Sequence, residues 1–153
     1  ERHGMDPGPY LDYVHQVDIT AIVPNARLDR ALGMLPGRKL IFTNASHDHA
    51  ERILDHLEVA RHFEGIFDII AADYLPKPEI KVYEKLVADY SLNPEATIMI
   101  EDVVRNLGPA KDLGMTTVWV ETDTPWAVAG LENEQPDFII ADLADWLARV
   151  AGG

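Results

Sequence analysis

The chain has 153 residues, of which 47% are apolar and 25% are charged, and it contains no cysteine. These fractions fit one globular domain rather than a disordered chain, and the lack of cysteine excludes disulfides, thiolate metal sites and cysteine nucleophiles. With 26 acidic against 13 basic residues, the formal charge of −13 argues against nucleic acid and membranes as partners. A small anionic substrate is compatible with this charge if a local cation or metal ion offsets the field.

The hydropathy of the chain and its first residue support two further expectations, one about location in the cell and one about a longer gene product. No segment reaches the ~20 consecutive apolar residues of a membrane span, and no basic stretch followed by an apolar run opens the sequence. We therefore expect a cytoplasmic protein. The sequence begins with Glu1 rather than Met, which suggests that it is part of a longer product.

Residues 1–36 do not share the pattern of the rest of the chain. A turn is predicted at residues 6–9, followed by a short apolar pattern of Tyr10, Leu11 and Val14 and a break at Pro24. This segment is interpreted as the C-terminal part of a small helical appendage with its linker. Residues 37–153 are interpreted as a separate α/β core.

Within 37–153, short apolar runs alternate with helical patterns. Strands are predicted at residues 40–42, 67–72, 97–100, 116–120 and 138–140. Helices are predicted from the N-cap Ser46, through Ile80 to Tyr90, beyond Asp102 toward Leu113, and from Leu143 to Val150. Pro109 must kink the third helix or mark its true start. Strands that are apolar on both faces and separated by helices predict an α/β fold with a parallel sheet.

Polar side chains follow three of the predicted strands. In strand order they are Thr43 and Asn44, then Asp73 and Lys77, then Glu101 and Asp102. Because ligands bind beyond the carboxyl ends of parallel strands, we expect these groups to converge at one edge of the sheet. A hydroxyl, an ammonium and paired carboxylates suit a phosphate and a Mg²⁺ ion, although each residue taken singly is commonly structural.

Two other clusters favour a structural interpretation. His47 and His49 flank Asp48, but residues two apart on a helix face different directions, so a helix start is favoured over a metal site. Trp119 and Trp146 fall on predicted core positions, so core packing is favoured over a ligand site. Trp126 lies in a loop and is less constrained.

Three segments together resemble the second, third and fourth motifs of the haloacid dehalogenase-like (HAD) phosphatases. They are residues 42–46, Lys77-Pro78 at a helix start, and residues 100–107. Thr43 and Lys77 are 34 residues apart, and Lys77 and Asp102 are 25 apart, which is similar to that superfamily. Residues 3–7, 13–15 and 114–120 are similar to the pyrimidine 5′-nucleotidase-like branch. Val103 departs from the family, which frequently has serine at this position.

The resemblance implies a Rossmann-like core, a helical cap, and a Mg²⁺-dependent phosphomonoesterase that acts on a small phosphorylated metabolite through an aspartyl-phosphate. It implies these roles: catalysis by Thr43 and Lys77, substrate binding by Thr43, Asn44 and Lys77, Mg²⁺ binding by Glu101 and Asp102, and support by Asn106. The oligomeric state is left open.

One family motif is absent from the sequence. In the family that the chain resembles, the first motif, Asp-x-Asp-x-Thr, carries the nucleophile and the general acid/base. This motif does not occur here, and the nearest fragments, at residues 18–20 and 123–124, lack the paired acid. We therefore expect the nucleophile to lie upstream, on a central strand between the strands at 40–42 and 97–100. Direct pairing of those two strands would contradict this expectation. The alternative function is a non-catalytic module that binds a phosphorylated ligand or a partner, and a dehalogenase of the same fold is a weaker third possibility.

Overall fold

The computed structural model describes residues 18–152, and the predicted turn and apolar pattern at residues 6–14 lie outside them. The described strands are β1 (Leu40–Phe42), β2 (Gly65–Phe67), β3 (Ile98–Glu101), β4 (Thr116–Val120) and β5 (Phe138–Ile140). The described α-helices are α1 (Ala26–Met34), α2 (His47–His56), α3 (Ile80–Asp89), α4 (Gly108–Asp112) and α5 (Leu143–Ala151). None of these helices has the length and apolar character needed to cross a bilayer.

All strand pairs in the described chain are parallel, but they form two separate sheets. β1 pairs with β2, with Ile41 opposite Ile66. β4 lies between β3 and β5, with Ile100 opposite Val118. The predicted α/β architecture with parallel strands is confirmed. Within residues 18–152, β1 and β3 do not pair with each other, which is the arrangement expected if another strand belongs between them.

Two apolar clusters hold the helices onto the strands. One is built around α3 and the β3–β4 strands, with Phe67, Tyr83 and Trp119 almost fully buried. The other joins α1 to α5 and includes Leu32 and Leu147. Core packing of Trp119 is thus confirmed. Because α1 belongs to the second cluster, the final part of segment 1–36 packs directly on the α/β core, while the division at residue 36 stays a prediction.

The helix starts follow from local capping chemistry. Asn25 accepts hydrogen bonds from the backbone N–H groups of Arg27 and Leu28, at 3.0 and 3.2 Å. Ser46 caps α2 as predicted, so His47 and Asp48 lie in the first turn of that helix. Asp142 caps α5 through the N–H of Asp145 at 2.7 Å. Each cap satisfies backbone donors that a helix start otherwise leaves unpaired.

The predicted strand at 67–72 is wrong beyond Phe67. Asp68 is buried, and its carboxylate accepts hydrogen bonds from the N–H groups of His47, at 2.9 Å, and Ala71, at 2.8 Å. These bonds turn the chain back on itself, so the apolar residues that follow β2 form a compact turn. Two backbone bonds, from Ala72 to Asp68 and from Tyr74 to Ile69, close that turn.

The predicted helix beyond Asp102 divides into two short pieces. A 3₁₀ helix, Val104–Asn106, precedes α4, and Pro109 lies in the first turn of α4. Pro109 therefore marks the start of this helix rather than kinking it, because its missing N–H costs nothing there. Gly114 follows α4 with a φ of +93°, in agreement with the predicted end.

Candidate functional site

Lys77 lies between the carboxyl ends of β1 and β3. Its side chain is 7% exposed, and its ammonium donates to the carbonyl oxygen of Phe42 at 2.9 Å and to Oε2 of Glu101 at 2.5 Å. The same nitrogen lies 4.7 Å from the centre of the Phe42 ring. The lysine charge is therefore fixed at the junction of the two sheets by a carbonyl, a carboxylate and an aromatic face.

Asn44 holds the backbone of Lys77 in place. Its amide oxygen accepts from the Lys77 N–H at 2.7 Å, and its amide nitrogen donates to the Lys77 carbonyl at 3.3 Å. These two bonds span 33 residues of sequence and connect the end of β1 to the start of the α3 segment. The geometry gives Asn44 a positioning contact with Lys77.

Thr43 continues the β1–β2 ladder and turns its hydroxyl toward the next residues. Its N–H donates to the Phe67 carbonyl at 3.0 Å, while its Oγ1 accepts from the N–H of Ala45 at 3.0 Å. Because the hydroxyl oxygen is used as an acceptor, its proton can be donated to a bound group. Thr43 can thus supply one hydrogen bond to an oxyanion.

Glu101 and Asp102 are adjacent in sequence but have different environments. The Glu101 side chain is 8% exposed, and its second oxygen, Oε1, accepts from the Val103 N–H at 3.2 Å. Asp102 is exposed, and its carbonyl oxygen accepts from the indole N–H of Trp119 at 3.0 Å. Within residues 18–152, no hydrogen bond engages the Asp102 carboxylate. Asp102 is therefore available as a ligand, whereas Glu101 is already paired with Lys77.

The donor set fits Mg²⁺ in part. Carboxylate oxygens are the ligands that this ion prefers, and Asp102 offers an unengaged pair of them. In the described ranges, however, no group of three or more histidine, aspartate or glutamate side chains is close enough together to hold a metal ion. A complete Mg²⁺ site would need further oxygen ligands from outside these residues, from substrate or from water.

Asn106 is buried behind the cleft and is tied to α3. Its carbonyl oxygen accepts from the Tyr83 hydroxyl at 2.7 Å. Burial raises the pKa of Tyr83, and the nearby Glu101 carboxylate raises it further, so this hydroxyl stays a donor. The side-chain oxygen Oδ1 of Asn106 is buried and has no hydrogen-bond partner among residues 18–152. It is therefore available to a group bound in the cleft.

These side chains share one cleft of about 280 Å³. Five of the six predicted site residues line it, namely Thr43, Asn44, Lys77, Glu101 and Asn106. The sixth, Asp102, is not part of that lining. Of the side chains expected to converge at the carboxyl ends of the strands, Thr43, Asn44, Lys77 and Glu101 line the cleft, whereas Asp73 and Asp102 do not. The chemical roles of the site residues stay predictions.

Sequence reasoning did not assign Arg105 and Trp126 to this cleft, and both line it. The guanidinium of Arg105 donates to the Trp126 carbonyl at 2.7 Å, which ties the 3₁₀ helix to the loop after β4. That long-range contact leaves no local sequence signal. The sequence indications were the lack of a predicted core position for Trp126 and, for Arg105, its place in the motif at residues 100–107.

The family is shown by sequence comparison. A family model described as haloacid dehalogenase-like hydrolase matches residues 12–114. The glyceraldehyde 3-phosphate phosphatase of Pyrococcus furiosus is 32% identical over 99 residues, which are 63% of this chain and 40% of that protein. Bifunctional epoxide hydrolase 2 of Rattus norvegicus is 31% identical over 76 residues, which are 50% of this chain and 13% of that protein. This chain thus spans less than half the length of each.

Solved structures show the same fold at lower identity. The L-2-haloacid dehalogenase of Xanthobacter autotrophicus matches with a TM-score of 0.67 and 18% identity, over 85% of this chain and 62% of that one. A HAD phosphatase from Thermococcus onnurineus matches with a TM-score of 0.64 and 18% identity, over 98% and 66% respectively. With the family model covering most of the sequence and the parallel α/β architecture in agreement, this chain belongs to the haloacid dehalogenase-like hydrolases.

Proposed function

We propose that this chain is part of a Mg²⁺-dependent phosphomonoesterase that acts in the cytoplasm on a small phosphorylated metabolite. The observation that carries the proposal is the buried Lys77 ammonium, fixed between the Phe42 carbonyl and Glu101 in a cleft that Thr43 also lines. A fixed cation and a hydroxyl donor are suited to the negative charge of a phosphoryl group. The 32% identity to a phosphatase over 63% of this chain supports the same class.

In this proposal, each residue acts through the contact that its position allows. Thr43 donates a hydrogen bond to the phosphoryl group, and Lys77 offsets charge on the phosphoryl oxygens and on the nucleophile. Asn44 positions Lys77, and Asn106 presents its unpartnered amide oxygen to the bound groups. Asp102 is the principal Mg²⁺ ligand, and Glu101, which keeps its contact with Lys77, adds a second carboxylate oxygen at the same end of β3. When bound, Mg²⁺ supplies positive charge that shields the phosphate from the acidic protein.

The nucleophile in this proposal is an aspartate that lies outside the chain. Its carboxylate attacks phosphorus, the bond from phosphorus to the ester oxygen breaks, and that oxygen leaves as an alcohol after taking a proton from an acid or from water. Water then hydrolyses the aspartyl-phosphate, which releases inorganic phosphate and restores the carboxylate. In the described chain β1 and β3 do not pair with each other, and this gap in the sheet supports the placement. A strand inserted there would end beside Lys77 and Thr43. The lack of an Asp-x-Asp-x-Thr motif in the sequence agrees with it.

Phosphate release by the full-length protein tests the proposal. The first substrates are a pyrimidine 5′-nucleotide, because of the resemblance to that branch, and glyceraldehyde 3-phosphate, because of the curated relative. We expect Mg²⁺-dependent release that is abolished by EDTA and falls strongly in K77A and D102N. D112N, an exposed aspartate on α4, is the matched control and should retain activity.

Two other outcomes would redirect the assignment. Mg²⁺-dependent binding of the same phosphoesters without release would favour the non-catalytic module, which uses the same cleft. Chloride release from 2-chloropropionate, without phosphate release, would favour a dehalogenase. The adjacent carboxylates argue against the dehalogenase, because displacement of halide from carbon requires no metal ion to shield a phosphate.

A further inference from the structure

Trp126 lines the cleft but leaves 60% of its surface exposed. The other two tryptophans are accounted for by packing, since Trp119 is 3% exposed and Trp146 packs against the α1–α5 cluster. An exposed indole leaves a large apolar area in water, so folding gains little from it. Packing within residues 18–152 therefore does not explain why this position carries an indole.

The backbone that carries this indole is firmly held. Arg105 donates to the Trp126 carbonyl at 2.7 Å. The next residue, Ala127, is 1% exposed, donates to the Thr124 carbonyl at 2.9 Å and accepts from the N–H of Val104 at 3.0 Å. Trp126 is thus anchored through its own carbonyl and through the next residue, while its side chain stays exposed. A ligand that contacts this residue would not need to order the backbone first, which lowers the cost of binding.

We propose that Trp126 is a stacking platform for a planar unsaturated ring carried by the leaving group of the phosphomonoester. Arg105 is its positioning residue. This inference rests on the proposed function and narrows its substrate class to esters in which such a ring lies close to the phosphate. Trp126 lines the same cleft as Thr43 and Lys77, the residues proposed to contact the phosphoryl group, so its indole lies near the position of the leaving group.

Aromatic stacking tolerates any planar ring, because each presents a π face to the indole. The ring could therefore be a nucleobase or a simple aryl group, and two substrate pairs distinguish these sources. Uridine 5′-monophosphate is compared with 5,6-dihydrouridine 5′-monophosphate, which keeps the polar groups of the base but loses its planarity. Benzyl phosphate is compared with cyclohexylmethyl phosphate, which keeps the size of the ring. In each pair the leaving group is the same class of primary alcohol.

The measurement is kcat/KM for the four esters with the full-length protein and its W126F, W126L and R105M variants. We expect the planar member of at least one pair to be preferred by about tenfold or more. W126L should lower kcat/KM for the planar ester more than for the saturated ester and so remove that preference, W126F should retain part of it, and R105M should weaken it. L131A, an exposed apolar residue of the same loop, is the control and should keep the wild-type ratio.

A planar preference that is unchanged in W126L overturns the inference, and so does an equal loss for both members of a pair. Equal kcat/KM within both pairs for the wild type also overturns it. If the wild type hydrolyses none of the four but releases phosphate from glyceraldehyde 3-phosphate, the proposed function stands and the inference is overturned. If it releases phosphate from none of these five esters, the proposed function has failed, and the dissociation constants of the four ring-bearing esters, measured by calorimetry, then test the platform. Tighter binding of a planar ester that depends on Trp126 retains the platform as a binding site, whereas equal binding rejects it.

Discussion

The ammonium of Lys77 lies 2.5 Å from Oε2 of Glu101 and joins the carboxyl ends of β1 and β3, two strands that share no backbone hydrogen bonds in the described chain. Both side chains are more than nine-tenths buried. A buried ion pair recovers the cost of desolvation only when its geometry is good and its remaining polar atoms are satisfied. The Phe42 carbonyl and the Val103 N–H meet that requirement. This pair therefore links the two sheets at the place where chemistry is proposed.

Removing one member of this pair should destabilise the protein more than removing both. K77M leaves the buried Glu101 carboxylate without its counter-ion, at an expected cost of about 3 kcal/mol. The K77M/E101M double variant replaces both charges by apolar groups and should be less destabilised than the sum of the two single variants. Urea unfolding of the full-length protein at pH 7 measures the coupling.

The exposed pair of Lys85 and Asp89, 3.1 Å apart on one face of α3, is the control for this cycle. K85M should lower the free energy of unfolding much less than K77M, because water screens exposed charges. If the changes in the free energy of unfolding of K77M and E101M add up to that of the double variant, the contact does not couple the sheets.

Much of the fold follows from short-range pattern. The predicted strands at 40–42, 116–120 and 138–140 coincide with β1, β4 and β5, because short runs rich in β-branched, aromatic and other apolar residues favour strands. Ser46 and Gly114 mark helix ends by local chemistry. The run at 67–72 misled for a physical reason: periodicity cannot distinguish a buried strand from a buried turn, and the turn is set by the contact of Asp68 with His47, 21 residues away.

For the candidate site, the sequence predicted which residues lie together but not how their side chains pair. Thr43, Lys77 and Glu101 were placed together because parallel strands align their carboxyl ends, which is a property of topology. The pairing of Lys77 with Glu101, and thus the difference between Glu101 and Asp102, depends on side-chain geometry across two sheets. Arg105 and Trp126 line the cleft together through a contact between the 3₁₀ helix and the loop after β4, which composition and spacing do not encode.

Loss of the Thr43 hydroxyl should lower activity while leaving the fold intact. T43V removes the donor proposed for the phosphoryl group, and a reduction of kcat of about 100-fold is expected from the loss of one such donor. It also removes the acceptor for the Ala45 N–H, at a cost of about 1 kcal/mol. T43S keeps both functions of the hydroxyl and should restore most of kcat. Equal activity of T43V and T43S would remove Thr43 from the catalytic set.

Asp102 should control the response to Mg²⁺. Its carboxylate is exposed and unengaged within residues 18–152, so D102N should change little in the free energy of unfolding. The amide keeps one neutral oxygen and loses the charge that a divalent ion prefers. We therefore expect the Mg²⁺ concentration for half-maximal phosphate release to rise by about tenfold or more. D112N should titrate like wild type, and an unchanged Mg²⁺ titration in D102N would assign the ion to other ligands.

Asp137 should make the stability of the β4–β5 edge depend on pH. Hydrogen bonds from the Lys111 ammonium and from the N–H and hydroxyl of Thr117 lower the pKa of Asp137 from 3.8 to about 2. A carboxyl whose pKa is lower in the folded state stabilises that state above its unfolded pKa of about 4, and the contribution is lost as the pH falls from about 4 to about 2. Because its side chain is 36% exposed, solvent screening limits the effect to about 1 kcal/mol.

D137N should therefore be less stable than wild type at pH 7, by about 1 kcal/mol, and the difference should narrow as the pH falls below about 4. The asparagine amide does not titrate, so residue 137 of the variant adds no pH dependence to the free energy of unfolding between about pH 4 and pH 2. Urea unfolding of both proteins at pH 7, 5, 4 and 3 measures the difference, with D112N as the control for an exposed aspartate without these partners. A difference that stays constant from pH 7 to pH 3 would mean that Asp137 stabilises β5 through its neutral hydrogen bonds rather than through its charge.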